Sequence, residues 1–167
     1  SNLVSVDQLR NSFSQVKVVG SSNIAGVRQE QYGFNGNPEF YNRSFVSLTG
    51  NLNRGYVNQV GGYNRAGISM NNLTRSEASI NQDMVINNDA FITFNKGPLN
   101  KAGINQTGPA GNTYGYDNKA AIVVGGTNTY YNESYIAQVG DRNTANLTVQ
   151  NGYSNKQTIN QTGRDNA

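Results

Sequence analysis

Apolar residues recur at every second position in short runs along most of the chain. The runs are Val27, Val46/Leu48, Ile68/Met70, Ile92/Phe94, Ile122/Val124 and Leu147/Val149. A second set places Val16, Val57, Ile80, Ile104, Ile136 and Ile159 singly, one in each intervening segment. A period of two predicts strands with one buried and one solvated face, not helices. Glycine or asparagine bounds the runs, so each unit reads as strand, glycine-containing bend, strand, bend.

The units repeat. Ile136-Ala137-Gln138-Val139-Gly140 returns as Ile159-Asn160-Gln161-Thr162-Gly163, the glutamines lying 23 residues apart (161 − 138). A period of that length marks an architecture in which each unit must stack on its neighbours to bury an apolar face. With the glutamine as reference, its column reads Val18, Gln59, Gln82, Gln106, Gln138 and Gln161. Six residues earlier stand Ser12, Asn53, Ser76, Asn100, Asn132 and Asn155. Two residues later stand Gly20, Gly61, Gly108, Gly140 and Gly163, a column that Met84 breaks. Beyond it comes Asn-x-small, at Asn23/Ala25, Asn42/Ser44, Asn64/Ala66, Asn88/Ala90, Asn118/Ala120 and Asn143/Ala145, with Asn166 opening the next. The expected fold is all-β: a β-solenoid of about six stacked strand-turn-strand repeats over residues 12–167. Residues 1–11 fit no slot and are expected to be an N-terminal arm. Surplus residues at 35–39 and 109–116 should bulge from bends as turn-rich loops.

Folding one unit at its bend sets bulky Ile80, Ile104, Ile136 and Ile159 opposite the alanine column, and small Ala78, Ala102 and Ser134 opposite Ile92, Ile122 and Leu147. Large against small is what dense packing between two close sheets requires. Inward glutamine and asparagine then need partners, since an unpaired buried amide costs about 1–3 kcal/mol. Identical amides recurring every ~4.8 Å along a stack satisfy one another as ladders. The residues expected to form ladders and turns are Gln59, Gly61, Asn64, Gln82, Asn88, Gln106, Gly108, Asn118, Gln138, Gly140, Asn143, Gln161, Gly163 and Asn166.

Composition narrows the function. The chain has 167 residues, 35% hydrophobic and 14% charged, with 28 asparagines, no cysteine and no histidine. Disulfide scaffolds, zinc fingers, thiol nucleophiles and imidazole bases are thereby excluded. The ten carboxylates are scattered over different columns, so no enzyme, metal site or cofactor is expected. The +3 formal charge is dispersed and gives no nucleic-acid footprint. No apolar run approaches the ~20 residues of a membrane span, and no signal-peptide core is present, as expected of a mature secreted chain. Charge does organise one outward column, five before the glutamine: Arg54, Glu77, Lys101, Glu133 and Lys156 alternate in sign. Stacked turns would give each charge opposite neighbours, and a one-turn slip would juxtapose like charges. Exposed pairs contribute only ~0–1 kcal/mol each, so the column's expected role is register selection.

The pattern Asn/Ser, five residues, Gln-x-Gly-x-x-Asn-x-Ala resembles the curlin repeat of bacterial curli fibres, best at 53–66 and 132–145 and more loosely over 12–167. Curlin repeats usually carry a second glutamine four after the alanine. Here that slot holds Gln29 and then Leu48, Met70, Phe94, Val124 and Val149. The stretch 8–29 is similar to the start of the nucleator subunits of that family. The resemblance implies a structural subunit of an extracellular functional amyloid, secreted after signal-peptide removal to the bacterial cell surface, for biofilm matrix and adhesion. Implied partners are the chain itself as a fibrillar homopolymer, a nucleator or major curlin subunit, a secretion channel and chaperones. The alternatives are a monomeric ice-binding solenoid, which the outward column Ser47, Ser69, Thr93, Val123, Thr148 half fits, and an adhesin stalk.

Residues 155–163 complete a first strand and bend, and Asn166-Ala167 opens a second. The inner face around Ile159 then calls for a partner strand of small-x-apolar alternation, which Asn2, Val4 and Val6 of the arm supply. The expected subunit joint is the arm of one copy completing the last turn of the next, a head-to-tail contact that does not close.

Overall fold

The computed structural model describes residues 1–31, 41–97, 99–109, 115–125, 130–150 and 153–167. The chain is all-β, in two parallel sheets stacked as a β-solenoid. Strands β1 (Leu3–Leu9), β3 (Ile24–Glu30), β5 (Arg54–Gly62), β7 (Glu77–Ile86), β9 (Lys101–Thr107), β12 (Glu133–Asp141) and β14 (Lys156–Arg164) follow one another in sheet A. Sheet B carries β2 (Phe13–Ser21), β4 (Arg43–Asn51), β6 (Arg65–Thr74), β8 (Asp89–Thr93), β11 (Lys119–Val123) and β13 (Thr144–Thr148). The chain alternates between sheets, so each turn is one strand of A and one of B. Each strand pairs in parallel with its counterpart one turn away.

The apolar alternation sets which face is inward. Val27, Val57, Ile80, Ile104 and Ile136 of sheet A and Val46, Ile68, Ile92, Ile122 and Leu147 of sheet B belong to one buried cluster. Its thinness is visible at Gly55, where an added Cβ would lie 3.1 Å from a Leu48 methyl and 3.3 Å from Val46 Cγ1 across the core. A missing side chain in one sheet thus accommodates a bulky one in the other.

The first turn departs from the expected register by half a turn. Val16 and Val18 pair with Val46 and Leu48 in sheet B, so Val18 is not in the glutamine column. That place belongs to Gln29, which stands beside Gln59, while Asn23 and Ala25 align with Asn53 and Gly55 rather than with Asn42 and Ser44. Gln29 is therefore a member of the main column and not a second glutamine on the opposite sheet. Residues 1–11, expected as an arm, contain β1, which pairs with β3 and adds Gln8 beside Gln29. The cause is chemical: both half-turns open on Asn-x-small and continue with period two, so either can be laid on the other.

Two further differences come from inserted residues. The register shifts between Gln59 and Gly61 against β7, so that Gly61 faces Val85 and not Met84. A matching shift sets Gly50 against Leu73 in sheet B. At the end of the inserted stretch, β10 (Gly115–Tyr116) pairs with Val85 and Ile86 in sheet A. Residues 110–114 of that insertion, and the irregular stretch 35–39, lie outside the described residues.

Candidate functional site

Amide ladders run along the stack, among them one inside sheet A and one at each bend. The glutamines form the first. Nε2 of Gln8, Gln29, Gln59, Gln82, Gln106 and Gln138 each donates to Oε1 of the glutamine on the following turn, at 2.6–2.9 Å. The second amide hydrogen crosses to the opposite sheet. Gln29, Gln59, Gln82, Gln106, Gln138 and Gln161 donate to the carbonyls of Phe13, Arg43, Arg65, Asp89, Lys119 and Thr144, at 2.7–3.2 Å. Gln29, Gln59, Gln82, Gln106 and Gln138 thus each tie their turn to the next and one sheet to the other. That double use satisfies side chains that are otherwise fully buried, as at Gln59, Gln82, Gln106 and Gln138.

Asparagines hold the bends by a different geometry. The backbone N–H of each donates to Oδ1 of the asparagine one turn earlier, as from Asn64 to Asn42, Asn88 to Asn64, Asn118 to Asn88, Asn143 to Asn118 and Asn166 to Asn143. Nδ2 reaches the next turn, as from Asn64 to the Val85 carbonyl (2.9 Å), Asn118 to Gly140 (2.7 Å) and Asn143 to Gly163 (3.1 Å). The other bend repeats this through Asn2, Asn23 and Asn53, where Ser76 Oγ stands in for an amide and accepts from Asn100 N–H.

Glycine is required where β5 and β12 leave sheet A. Gly61 and Gly140 have φ of 123° and 114°, and an added Cβ would lie 2.0 Å from the Val85 or Gly163 carbonyl oxygen. Gly163 shares this conformation, with φ of 114°, whereas Gly108 is not among the left-handed glycines. The sequence does not reveal that the residues preceding the bend asparagines from Asn64 onward are also left-handed, at Tyr63, Asn87, Asp117, Arg142 and Asp165. These residues share no side-chain chemistry, so no residue signal marks the column. They do contact along it: Asn87 Nδ2 donates to Asp117, and Arg142 makes a bidentate pair with Asp165 at 2.6 and 2.7 Å. The Arg142 hydrogen bond holds the Asp165 carboxyl below its ordinary pKa. One ladder did have a sequence signal, the recurring Asn-Gln dipeptide. Asn58, Asn81 and Asn105 stack outside sheet A at 2.7 and 2.8 Å, one residue before the glutamines.

The alternating column stands in register. Arg54 pairs in the ladder with Glu77, Glu77 with Lys101, Lys101 with Glu133 and Glu133 with Lys156. Within it, Glu133 and Lys156 approach to 3.6 Å, both largely solvated. Glu77→Lys sets three cations on consecutive strands. It should cost below ~1 kcal/mol at physiological salt and more as salt is removed, because screening shortens the range of exposed repulsion. Urea midpoints at low and high ionic strength check this, and a salt-independent loss would remove the electrostatic role.

Of the residues expected at the joint, Val4 and Val6 pair with Ala25 and Val27 of their own chain, and Asn2 Oδ1 accepts from Asn23 N–H. Ile159 lies in β14 at the other end, beside Ile136. The arm is therefore occupied as a sheet A strand, because Val4, Val6 and Gln8 match the inward positions of that sheet. Among the described residues no group of three or more His, Cys, Asp or Glu could hold a metal ion. Comparison with protein-family models, with curated proteins and with solved structures finds no match.

Proposed function

We propose that this chain is a structural subunit of an extracellular, curli-like functional amyloid fibre, assembling head to tail for biofilm matrix and adhesion. The observation that carries the reading is the polarity of the glutamine ladder. It starts at Gln8, whose amide is given to Gln29, and ends at Gln161, whose carbonyl accepts from Gln138. A second copy stacked in the same direction sets the Gln161 amide against the Gln8 carbonyl. It also sets Asn155 and Ile159 against Asn2 and Val6, continuing the inward columns of sheet A. Reversed stacking sets like groups against each other.

In this reading β1 of one copy adds to β14 of the next in sheet A instead of completing the opposite sheet, a reading supported by the sheet A pairing of β1 with β3. Parallel strand addition of this kind propagates without closing. The secretion channel, chaperones and nucleator or major-subunit partner implied by the curlin resemblance belong to this same proposal, as does a non-enzymatic role. An ice-binding face is disfavoured by Phe45 and Phe91, which stand exposed in the column beside Ser47, Ser69, Thr93, Val123 and Thr148 and break its flatness.

Electron microscopy of the purified protein after incubation tests the proposal. Unbranched fibres with a cross-β repeat are expected, and Gln161→Leu should slow their elongation while scarcely changing the stability of the soluble chain. A chain that stays monomeric at all concentrations, or a Gln161→Leu variant that elongates at the parental rate, would count against it.

A further inference from the structure

Two tyrosines stand one above the other at the bend leading into sheet A. Tyr130 and Tyr153 form a parallel bridge, and Ser154 N–H donates to the Tyr130 carbonyl at 2.9 Å. Their rings stack with centroids 5.6 Å apart and planes within 5°. Tyr153 is 77% exposed and Tyr130 is partly buried beneath it. The chain has ten tyrosines and neither cysteine nor tryptophan, so no thiol or indole competes for a one-electron oxidant. Phenols are then the groups on which an electron hole settles, and Tyr153 is the most open of those described.

We propose that Tyr130 and Tyr153 are a dityrosine cross-linking site, acted on by a one-electron oxidant of the haem-peroxidase class with hydrogen peroxide. Each phenol loses one electron and one proton to give a phenoxyl radical. An ortho carbon of each ring joins in a new carbon–carbon bond, and the two displaced ring hydrogens move as protons to the oxygens, restoring both phenols. The peroxide takes up the two electrons and two protons and leaves as two waters. The bond covalently ties the entry of β12 to the entry of β14, closing a span of 23 residues (153 − 130). It rests on the geometry of one chain and does not depend on fibre formation.

The structure contains its own comparator. Tyr41 and Tyr63 are as close, 5.8 Å between centroids, but meet edge-on at 70°. The Arg43 guanidinium sits 4.9 Å over the Tyr41 ring, and a cation on the ring face opposes removal of an electron from it. This pair should couple far less.

The test is treatment of the dilute protein with a haem peroxidase and hydrogen peroxide, then denaturation and tryptic digestion. Cleavage after Lys119, Arg142 and Lys156 yields fragments 120–142 and 143–156, and Tyr153 is the sole tyrosine of the second. The expected product is these two fragments linked, two hydrogens lighter than their sum, with fragmentation placing the bond at Tyr130 and with dityrosine fluorescence. Tyr130→Phe and Tyr153→Phe should each abolish the linked pair while keeping the parental circular dichroism, and Tyr41→Phe should leave it intact. A bond at Tyr131 or Tyr135, survival of the pair in Tyr130→Phe, or linked fragments mainly from different chains in an isotope-mixed sample would overturn the proposal.

Discussion

Gln138→Leu is expected to destabilise the soluble chain by about 3 kcal/mol, the sum of two groups left without partners in the interior. The leucine fills the space but removes the acceptor for Gln106 Nε2 and the donor to the Lys119 carbonyl, bonds of 2.9 Å each. Gln106 is fully buried, so water cannot replace what its amide loses. Gln161→Leu provides the contrast. Its bond to the Thr144 carbonyl lies at the exposed end of the stack, and the bond it accepts from Gln138 Nε2 is only partly buried, so water takes over more of what is lost and the cost should be smaller, about 1 kcal/mol. Urea denaturation followed by circular dichroism measures both. Equal losses at the two positions would mean that the ladder is ornamental to stability and that packing alone holds the stack.

Gly140→Ala should be at least as damaging, about 3 kcal/mol or more, with loss of pairing between β12 and β14. Two causes add: φ of 114° is outside the range that a residue with a Cβ adopts, and that Cβ would collide with the Gly163 carbonyl oxygen at 2.0 Å. Relief requires the last two turns to separate, which also lengthens the Asn143 bond to the same carbonyl. Gly125→Ala is the control, since φ of 52° is ordinary left-handed backbone and the nearest atom, Val123 Cγ1, lies 3.7 Å from the added carbon. Its cost should be about 1 kcal/mol. Hydrogen exchange should show the Gly140→Ala loss confined to the C-terminal turns. A uniform loss, or a cost no larger than that of Gly125→Ala, would contradict the steric account.

Period-two alternation, the 23-residue spacing and the regular return of Gln, Gly and Asn were enough to determine strands, bends, two facing sheets and parallel stacking, because each is a property of local spacing. From Arg54 onward each sheet A strand could be placed residue by residue up to its glutamine for the same reason, since Gln59, Gln82, Gln106, Gln138 and Gln161 admit one alignment, but the inserted residue that sets Gly61 against Val85 could not. Nor could the first turn. Ser12 to Gly20 satisfies the spacing of a sheet A strand as well as that of a sheet B strand, and only pairing of Val18 with Leu48 and of Gln29 with Gln59 separates the two. The same ambiguity hid Gln8 and β1 in an apparent arm. The tertiary structure alone decided where the second hydrogen of each glutamine goes, since its acceptor is a backbone carbonyl on the opposite sheet and carries no residue signature. It alone decided, too, that Tyr63, Asn87, Asp117, Arg142 and Asp165 share a left-handed column, because stacking imposes that conformation on whatever residue precedes the bend asparagine.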